Sequence, residues 1–317
     1  FIVCKRTTAS GISRLGIVLA VDLEDYCFTH PSNAHIRSTE GVVLDRIPPR
    51  LKIRQDAPVE LPHIMLLIDD RKHSVIEPIW SECASLEKVY DFDLNMGGGH
   101  LEGYRIDAQK VIDVFENYVG SVQNLYGGDK NDFIFAVGDG NHSLATAQAH
   151  WNRIKEGLTE SEKAVHPARF ALCEVENLHD EGIAFEPIHR FVFGVGEDFV
   201  PYMQNALSGE KEIVAFDKNG EYKLHVDKIG AKAIKDVQDA IDAYIKEHSD
   251  CVVDYIHGIE HLKDVAAHND GVAIVMPKIE KEELFGYVLK NGTLCRKAFS
   301  MGEAEGKRYY FEAKRIK

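Results

Sequence analysis

The segment Val137-Gly138-Asp139-Gly140-Asn141-His142-Ser143 concentrates groups that can do chemistry. An apolar β-rich run, Phe133 to Val137, leads into it, and a helical pattern from Leu144 to Glu156 follows. This order predicts a buried strand that turns straight into a helix. Backbone N–H groups in a first helical turn lack intrahelical acceptors, and the helix dipole adds positive potential there. A phosphate or carboxylate fits such a place. Gly138 and Gly140 would let the backbone approach a ligand closely. Asn141 and Ser143 suit capping or ligand contact, and His142 suits donation to a phosphate oxygen or proton movement. Asp139 suits a metal ion or a base. Gly-Asp-Gly-Asn is equally the composition of an ordinary turn, and Asn or Ser that of an ordinary cap. The segment is neither G-x-G-x-x-G nor a Walker A loop.

Two further polar islands stand between β-rich runs. His179, Asp180 and Glu181 lie between predicted strands Arg169–Val175 and Ile183–Val195, and His189 and Arg190 lie within the second. If those strands form a hairpin, the groups converge near one edge and join the 138–143 turn in one site. Arg190 and His189 would then contact phosphate, with Glu181 or Asp180 as base or Mg²⁺ ligand. The other island is Arg37-Ser38-Thr39-Glu40-Gly41, in a polar loop, where Arg37 is a phosphate donor candidate. His257-Gly258-Ile259-Glu260-His261 matches H-x-x-E-H, but Gly258 breaks the run, so both histidines cannot share one helix face. A zinc site is rejected there.

The elements that must position these groups alternate between strands and helices. Residues 1–21 read as a hairpin around Ala9-Ser10-Gly11, and 47–62, with Pro48, Pro49, Pro58 and Pro62, as an extended connection. Strands are predicted at His63–Ile68 and Val89–Leu94. A helix over 107–126 closes at Gly127-Gly128. Beyond these come helices near 197–207, 233–247 and 280–290, a hairpin around Asn219-Gly220, strands at 251–256 and 272–276, and a last strand near 308–314. The expectation is an α/β fold: a mixed sheet in residues 1–195 carrying the phosphate turn, and a smaller α+β lobe over 196–317.

Composition narrows the partners. The 317 residues hold 37 basic and 51 acidic side chains, a net charge of −14. Duplex nucleic acid and anionic membrane surfaces need a basic footprint and are not expected. A small phosphorylated ligand needs only a local pocket of donors. Six cysteines without a C-x-x-C pair read as reduced and cytoplasmic. No apolar run reaches the ~18 residues of a spanning helix, and no signal peptide is seen. The chain opens without Met inside a β-rich run, so an N-terminal portion is expected to precede it. A homo-oligomer is compatible with all of this.

The run from Val137 to Ala147 resembles the Asp-Gly-His-His-Arg segment of an uncharacterised prokaryotic family, domain-of-unknown-function family 1015. Asn177 to Gly182 followed by Pro187-Ile188-His189-Arg190 resembles a second hallmark, as do Asp254 to Gly258 and Arg296 to Ser300. Asn141 stands where that family has its first His, and Ser143 where it has Arg. The segment is also similar to one in the ParB/sulfiredoxin-like superfamily, whose members hold nucleotide phosphates on this strand-to-helix turn. The resemblance implies ATP or another nucleotide as cofactor, with Mg²⁺, and the family's gene neighbourhoods suggest free serine as acceptor. It also implies a catalytic Glu ahead of the phosphate loop, which makes Glu40 the candidate base. The expected function is a nucleotide-dependent phosphotransferase acting on a small polar metabolite. Phosphates would rest on residues 138–143, Glu40 or Glu181 would take a hydroxyl proton, and Mg²⁺ would lie at Asp139 or Asp180. A non-catalytic nucleotide sensor and a hydrolase of a phosphorylated metabolite are the alternatives.

Overall fold

The computed structural model describes residues 1–61, 64–127, 132–302 and 311–317. Pro62, His63, Gly128, Lys307, Arg308 and the start of the last predicted strand lie outside these residues. The chain divides into two units. The first takes in the described residues of 1–183 with 288–293 and 311–317, and the second takes in 184–287 and 294–302. The expected boundary at 195/196 therefore shifts. Strand Phe185–Phe193 pairs antiparallel with Val252–His257, Gly271–Ile274 and Phe299–Met301, all in the second unit. It does not form the expected hairpin with Phe170–Asn177.

The fold is mixed α/β. In the first unit, nine described strands form one sheet in the order 26–27, 36–38, 135–139, 65–68, 170–177, 13–22, 2–7, 100–105, 87–93. The N-terminal hairpin Ile2–Thr7/Ser13–Asp22 lies where the turn residues place it. One sheet face carries the main core, where Ile17, Leu66, Val137 and Val175 meet Tyr118 and Val122 of helix Ala108–Tyr126 and Trp151 of helix Asn141–Lys155. Gly127 ends the first of these helices at φ +122°, a left-handed stop that suits glycine.

Two prolines mislead the reading of residues 47–62. Residues Ile47–Arg54 form a helix, with Pro48 and Pro49 in its first turn. A first-turn N–H has no intrahelical acceptor, so proline loses nothing there, and its fixed φ suits the helix.

The opposite face of the sheet buries charge. Glu176 is fully buried, and Arg14 Nε donates to it at 2.7 Å. Burial pushes the Glu176 carboxyl up to about 8, although Arg14 pulls it down. A carboxyl with a raised folded value holds its proton longer folded than unfolded. Its contribution is therefore fully present below the ordinary value of 4.5 and declines as pH rises towards 8. Urea unfolding should show wild-type stability falling by ~1 kcal/mol or more between pH 5 and 8. Glu176→Gln keeps an acceptor for Arg14 and should lose less than half as much. Equal declines in both proteins would assign the effect to other groups.

In the second unit the antiparallel sheet runs 221–226, 211–216, 271–274, 185–193, 252–257. Helix Ala231–Glu247 buries Ile234, Val237, Ile241 and Tyr244. Its acidic residues form ordinary surface pairs, Lys232 with Asp236 and Lys235 with Asp239. Among the described residues no helix is long and apolar enough to cross a membrane.

Candidate functional site

Strands Ile36–Ser38 and Phe135–Asp139 run parallel, with Ile36 opposite Phe135 and Ser38 opposite Val137. Their carboxyl ends therefore reach the same sheet edge, and helix Asn141–Lys155 begins there. Gly140 makes the joint at φ +89°, a left-handed conformation that costs a side-chain-bearing residue dearly. Asp139 Oδ1 accepts the Gly140 N–H at 2.7 Å and braces the turn. Further along, the Gln148 amide donates to the carbonyls of Leu23 (3.0 Å) and Tyr26 (2.6 Å), and Trp151 Nε1 donates to Glu24 (2.6 Å). Leu144, Ala145 and Ala147 bury the inner face. These contacts hold the helix N-terminus at the edge.

The 36–43 segment is tied to the turn residue by residue. The Ser38 hydroxyl bonds the side-chain oxygen of the buried Asn141 and lies 2.8 Å from the Glu40 carbonyl. Thr39 Oγ1 donates to the Val137 carbonyl at 2.6 Å. His142 Nε2 accepts the Val43 N–H at 3.0 Å. An accepting Nε2 leaves the imidazole proton on Nδ1, so the neutral ring can donate from that side. Half-buried Glu40 thus stands at the same edge as Asp139, Gly140 and His142. Asn141 serves the protein interior. Ser143 lies on the first helical turn and lines a cleft of about 290 Å³ with Thr146, Arg50, Arg54 and Glu60.

Arg37 is corrected. Its Nε donates to the Ala34 carbonyl at 2.9 Å, and its guanidinium sits 5.0 Å above the Phe133 ring. Both partners lie towards the amino-terminal end of strand 135–139, away from the turn.

The 179–181 island is corrected too. Strand Met65–Ile68 runs antiparallel to 135–139, with Met65 opposite Asp139, and parallel to 170–177, with Ile68 opposite Asn177. His179, Asp180 and Glu181 therefore emerge at the opposite sheet edge, roughly 13 Å along the strands at ~3.3 Å per residue. One small-ligand site cannot span both ends. Asp180 is occupied in holding its own turn, with Oδ2 accepting the Leu15 N–H (3.0 Å) and Oδ1 the Gly182 N–H (2.7 Å). Glu181 is exposed at that far edge.

That edge holds a cluster the sequence did not reveal. The Asp69 side chain is fully buried and accepts from His179 Nε2 (2.5 Å), the Tyr126 hydroxyl (2.5 Å) and the Arg71 fork (3.3 Å to each oxygen). Burial alone would raise its carboxyl, but donation from His179, Tyr126 and Arg71 outweighs this and holds it below the ordinary value. Asp69-Asp70 at a strand end was the available signal; the partners are 57 and 110 positions away.

His189 and Arg190 belong to the second unit and are engaged inside it. Arg190 is fully buried, with Nε donating to Gln238 Oε1 (2.7 Å), a terminal nitrogen to the Ile188 carbonyl (2.6 Å), and its plane 4.5 Å from the Tyr255 ring centre. His189 Nδ1 accepts the Met276 N–H at 3.1 Å. Neither is available as a phosphate ligand. His257 ends its strand and Gly258, at φ +82°, opens helix Ile259–His268, which is the joint expected from H-x-x-E-H.

Among the described residues no group of three or more His, Cys, Asp and Glu side chains is arranged to hold a metal ion. Asp139 and Asp180 stand at opposite edges and do not form a pair. Asp139 alone remains beside the turn.

The first unit is thus a mixed α/β sheet in which two parallel strands deliver their carboxyl ends to a glycine-capped helix, the place where open α/β sheets collect ligands. The chain belongs to the family described as protein of unknown function DUF1015, which matches residues 1–296. Its fold is similar to a free serine kinase variant in complex with AMP, at a TM-score of 0.51 and 8% identity over 90% of this chain and 87% of that one. A variant of free serine kinase in complex with ADP matches at a TM-score of 0.50 and 8% identity, with the same coverage. At this identity the likeness is one of fold. A comparison with curated proteins found no match.

Proposed function

We propose that the first unit binds a nucleotide on the Gly138–Ser143 turn and transfers a phosphoryl group to the hydroxyl of a small polar metabolite, with free serine as the acceptor. The observation that carries this reading is the passage of strand 135–139 through left-handed Gly140 into helix 141–155, with Glu40 brought to the same edge on a parallel strand. The fold likeness to nucleotide-bound kinase structures and the motif's similarity to the ParB/sulfiredoxin-like phosphate turn support it. Six cysteines with no disulfide among the described residues fit a reducing cytoplasm.

In the mechanism, N–H groups of the first helical turn take phosphate oxygens, and His142 donates from Nδ1. Glu40 accepts the proton of the attacking hydroxyl. The new O–P bond forms as the bond from the terminal phosphorus to the nucleoside diphosphate breaks, so the charge stays on oxygens facing the N–H groups. A Mg²⁺ ion bound with the nucleotide would neutralise phosphate charge, and Asp139 is the side chain placed to hold it.

The experiment is turnover of ATP with Mg²⁺, with and without L-serine. Formation of ADP and phosphoserine together is expected. Binding without turnover would favour the sensor reading, to which Ser143 in place of the family's Arg lends weight. Asp139→Asn keeps an acceptor for Gly140, so its melting should shift no more than ordinary surface changes do, within ~0.5 kcal/mol. Its ADP affinity should lose the increment that Mg²⁺ gives the wild type. Equal Mg²⁺ dependence in both would make Asp139 a turn residue only.

A further inference from the structure

We propose that the cleft between helices 47–54 and 141–155 is an anion subsite in which Arg50 and Arg54 supply the guanidinium contact to phosphate oxygens that position 143 lacks. It rests on the reading of the adjoining turn as a phosphate site, and adds the side chains that give that site its charge. The ligand class is the phosphate or diphosphate group of a small molecule.

The geometry places both helices on one opening of about 290 Å³. Ser143 and Thr146 face it from one helix, and Arg50, Ile53 and Arg54 from the other. Thr146 gives its hydroxyl proton to the His142 carbonyl at 2.7 Å, so Ser143 is the hydroxyl left to meet a ligand. Arg50 is exposed, and among the described residues its one hydrogen bond is from a terminal nitrogen to the Arg46 carbonyl, at 2.9 Å. Arg54 is ion-paired with Glu60, whose side chain is 4% exposed, and its buried Nε has no hydrogen-bond partner among the described residues. An arginine held in place by one carboxylate at the wall of a cleft is pre-ordered for a second anion.

Among the described residues that line this cleft Glu60 is the one acidic side chain, and its oxygens are already committed. They receive Arg54 and the Leu172 N–H (2.8 Å), and lie 4.0 Å from Lys314 Nζ. Arg50 is left without an opposing charge among the cleft side chains. His150, one helical turn beyond Thr146, is 5% exposed, and its Nδ1 has no partner among the described residues. Burial first, and then the nearby cations Arg54, Lys317 and Arg153, hold its imidazole below the ordinary value. A chain of net charge −14 thus gathers cations around this one helix face. Forked guanidinium donors match phosphate oxygens two at a time, which an apolar cleft would not require.

The test is calorimetric titration of the full chain with inorganic pyrophosphate and, separately, with ADP at low salt. The wild type, Arg50→Gln and Arg54→Lys are compared. Arg50 is exposed, so its replacement leaves the fold intact; Arg54→Lys keeps the charge facing Glu60 and removes the fork. Pyrophosphate should bind the wild type, more weakly as salt rises, and each variant should weaken it roughly tenfold or more. No pyrophosphate binding, or equal affinity in all three proteins, would overturn the subsite. ADP binding that ignores Arg50 would also overturn it while leaving the nucleotide reading intact. Arg50-dependent pyrophosphate binding without any ADP binding would uphold the subsite and remove the nucleotide.

Discussion

Gly140→Val should cut ADP affinity by about tenfold while the protein stays folded. Gly140 stands at φ +89° between strand 135–139 and helix 141–155. A β-branched side chain is strongly disfavoured there, at roughly 1–2 kcal/mol for leaving the left-handed region unfilled by glycine. The chain can relieve that strain only by turning the first helical N–H groups away from the edge, and those groups are the proposed phosphate donors. Asn tolerates the left-handed conformation better than Ala or Val. Affinity should therefore fall in the order Gly, Asn, Ala, Val. Titration with ADP beside thermal melts checks this. Equal affinity in Asn and Val variants would mean that the turn's conformation does not govern binding.

Asp69→Ala should destabilise the first unit by about 3 kcal/mol without touching ADP affinity. Its buried carboxylate accepts from His179, Tyr126 and Arg71, so truncation leaves three donor groups without their acceptor. Asp69→Asn keeps one acceptor oxygen and should lose less. Because the folded carboxyl is held below its ordinary value of 3.8, its contribution is present above that value and lost as pH falls through the folded one. Urea melts should therefore show a smaller gap between wild type and variant at pH 3 than at pH 7. ADP affinity is spared because Asp69 stands at the sheet edge opposite Gly140. A variant with intact stability and lost ADP binding would instead place the ligand at Asp69.

The turn itself was legible because its signals are local. An apolar run, glycines and a helical pattern follow one another within residues 133–156, and helix 141–155 starts three residues before the pattern does. Strand direction was not legible. The apolar runs at 65–68, 135–139 and 170–177 look alike, yet one runs against the other two, and this alone separates Asp139 from His179. Strand Ile36–Ser38 has only three residues inside a polar stretch, too few for any period to show. Helix 47–54, with its arginines beside Ser143, was hidden by Pro48-Pro49, which read as extended chain everywhere except in a helix's first turn. Arg190 resembled a phosphate ligand because sequence carries no burial label. Gln238, which satisfies it, comes 48 residues later on a different element.

The central claim is that the edge at Gly138–Ser143 receives phosphate, and a crystal structure of the protein with ADP tests it most directly. The account predicts a phosphate oxygen within about 3 Å of backbone N–H groups in residues 140–143, with Glu40 facing the same opening. ADP phosphates bound at the Asp69–His179 edge, or anywhere in the second unit, would contradict it.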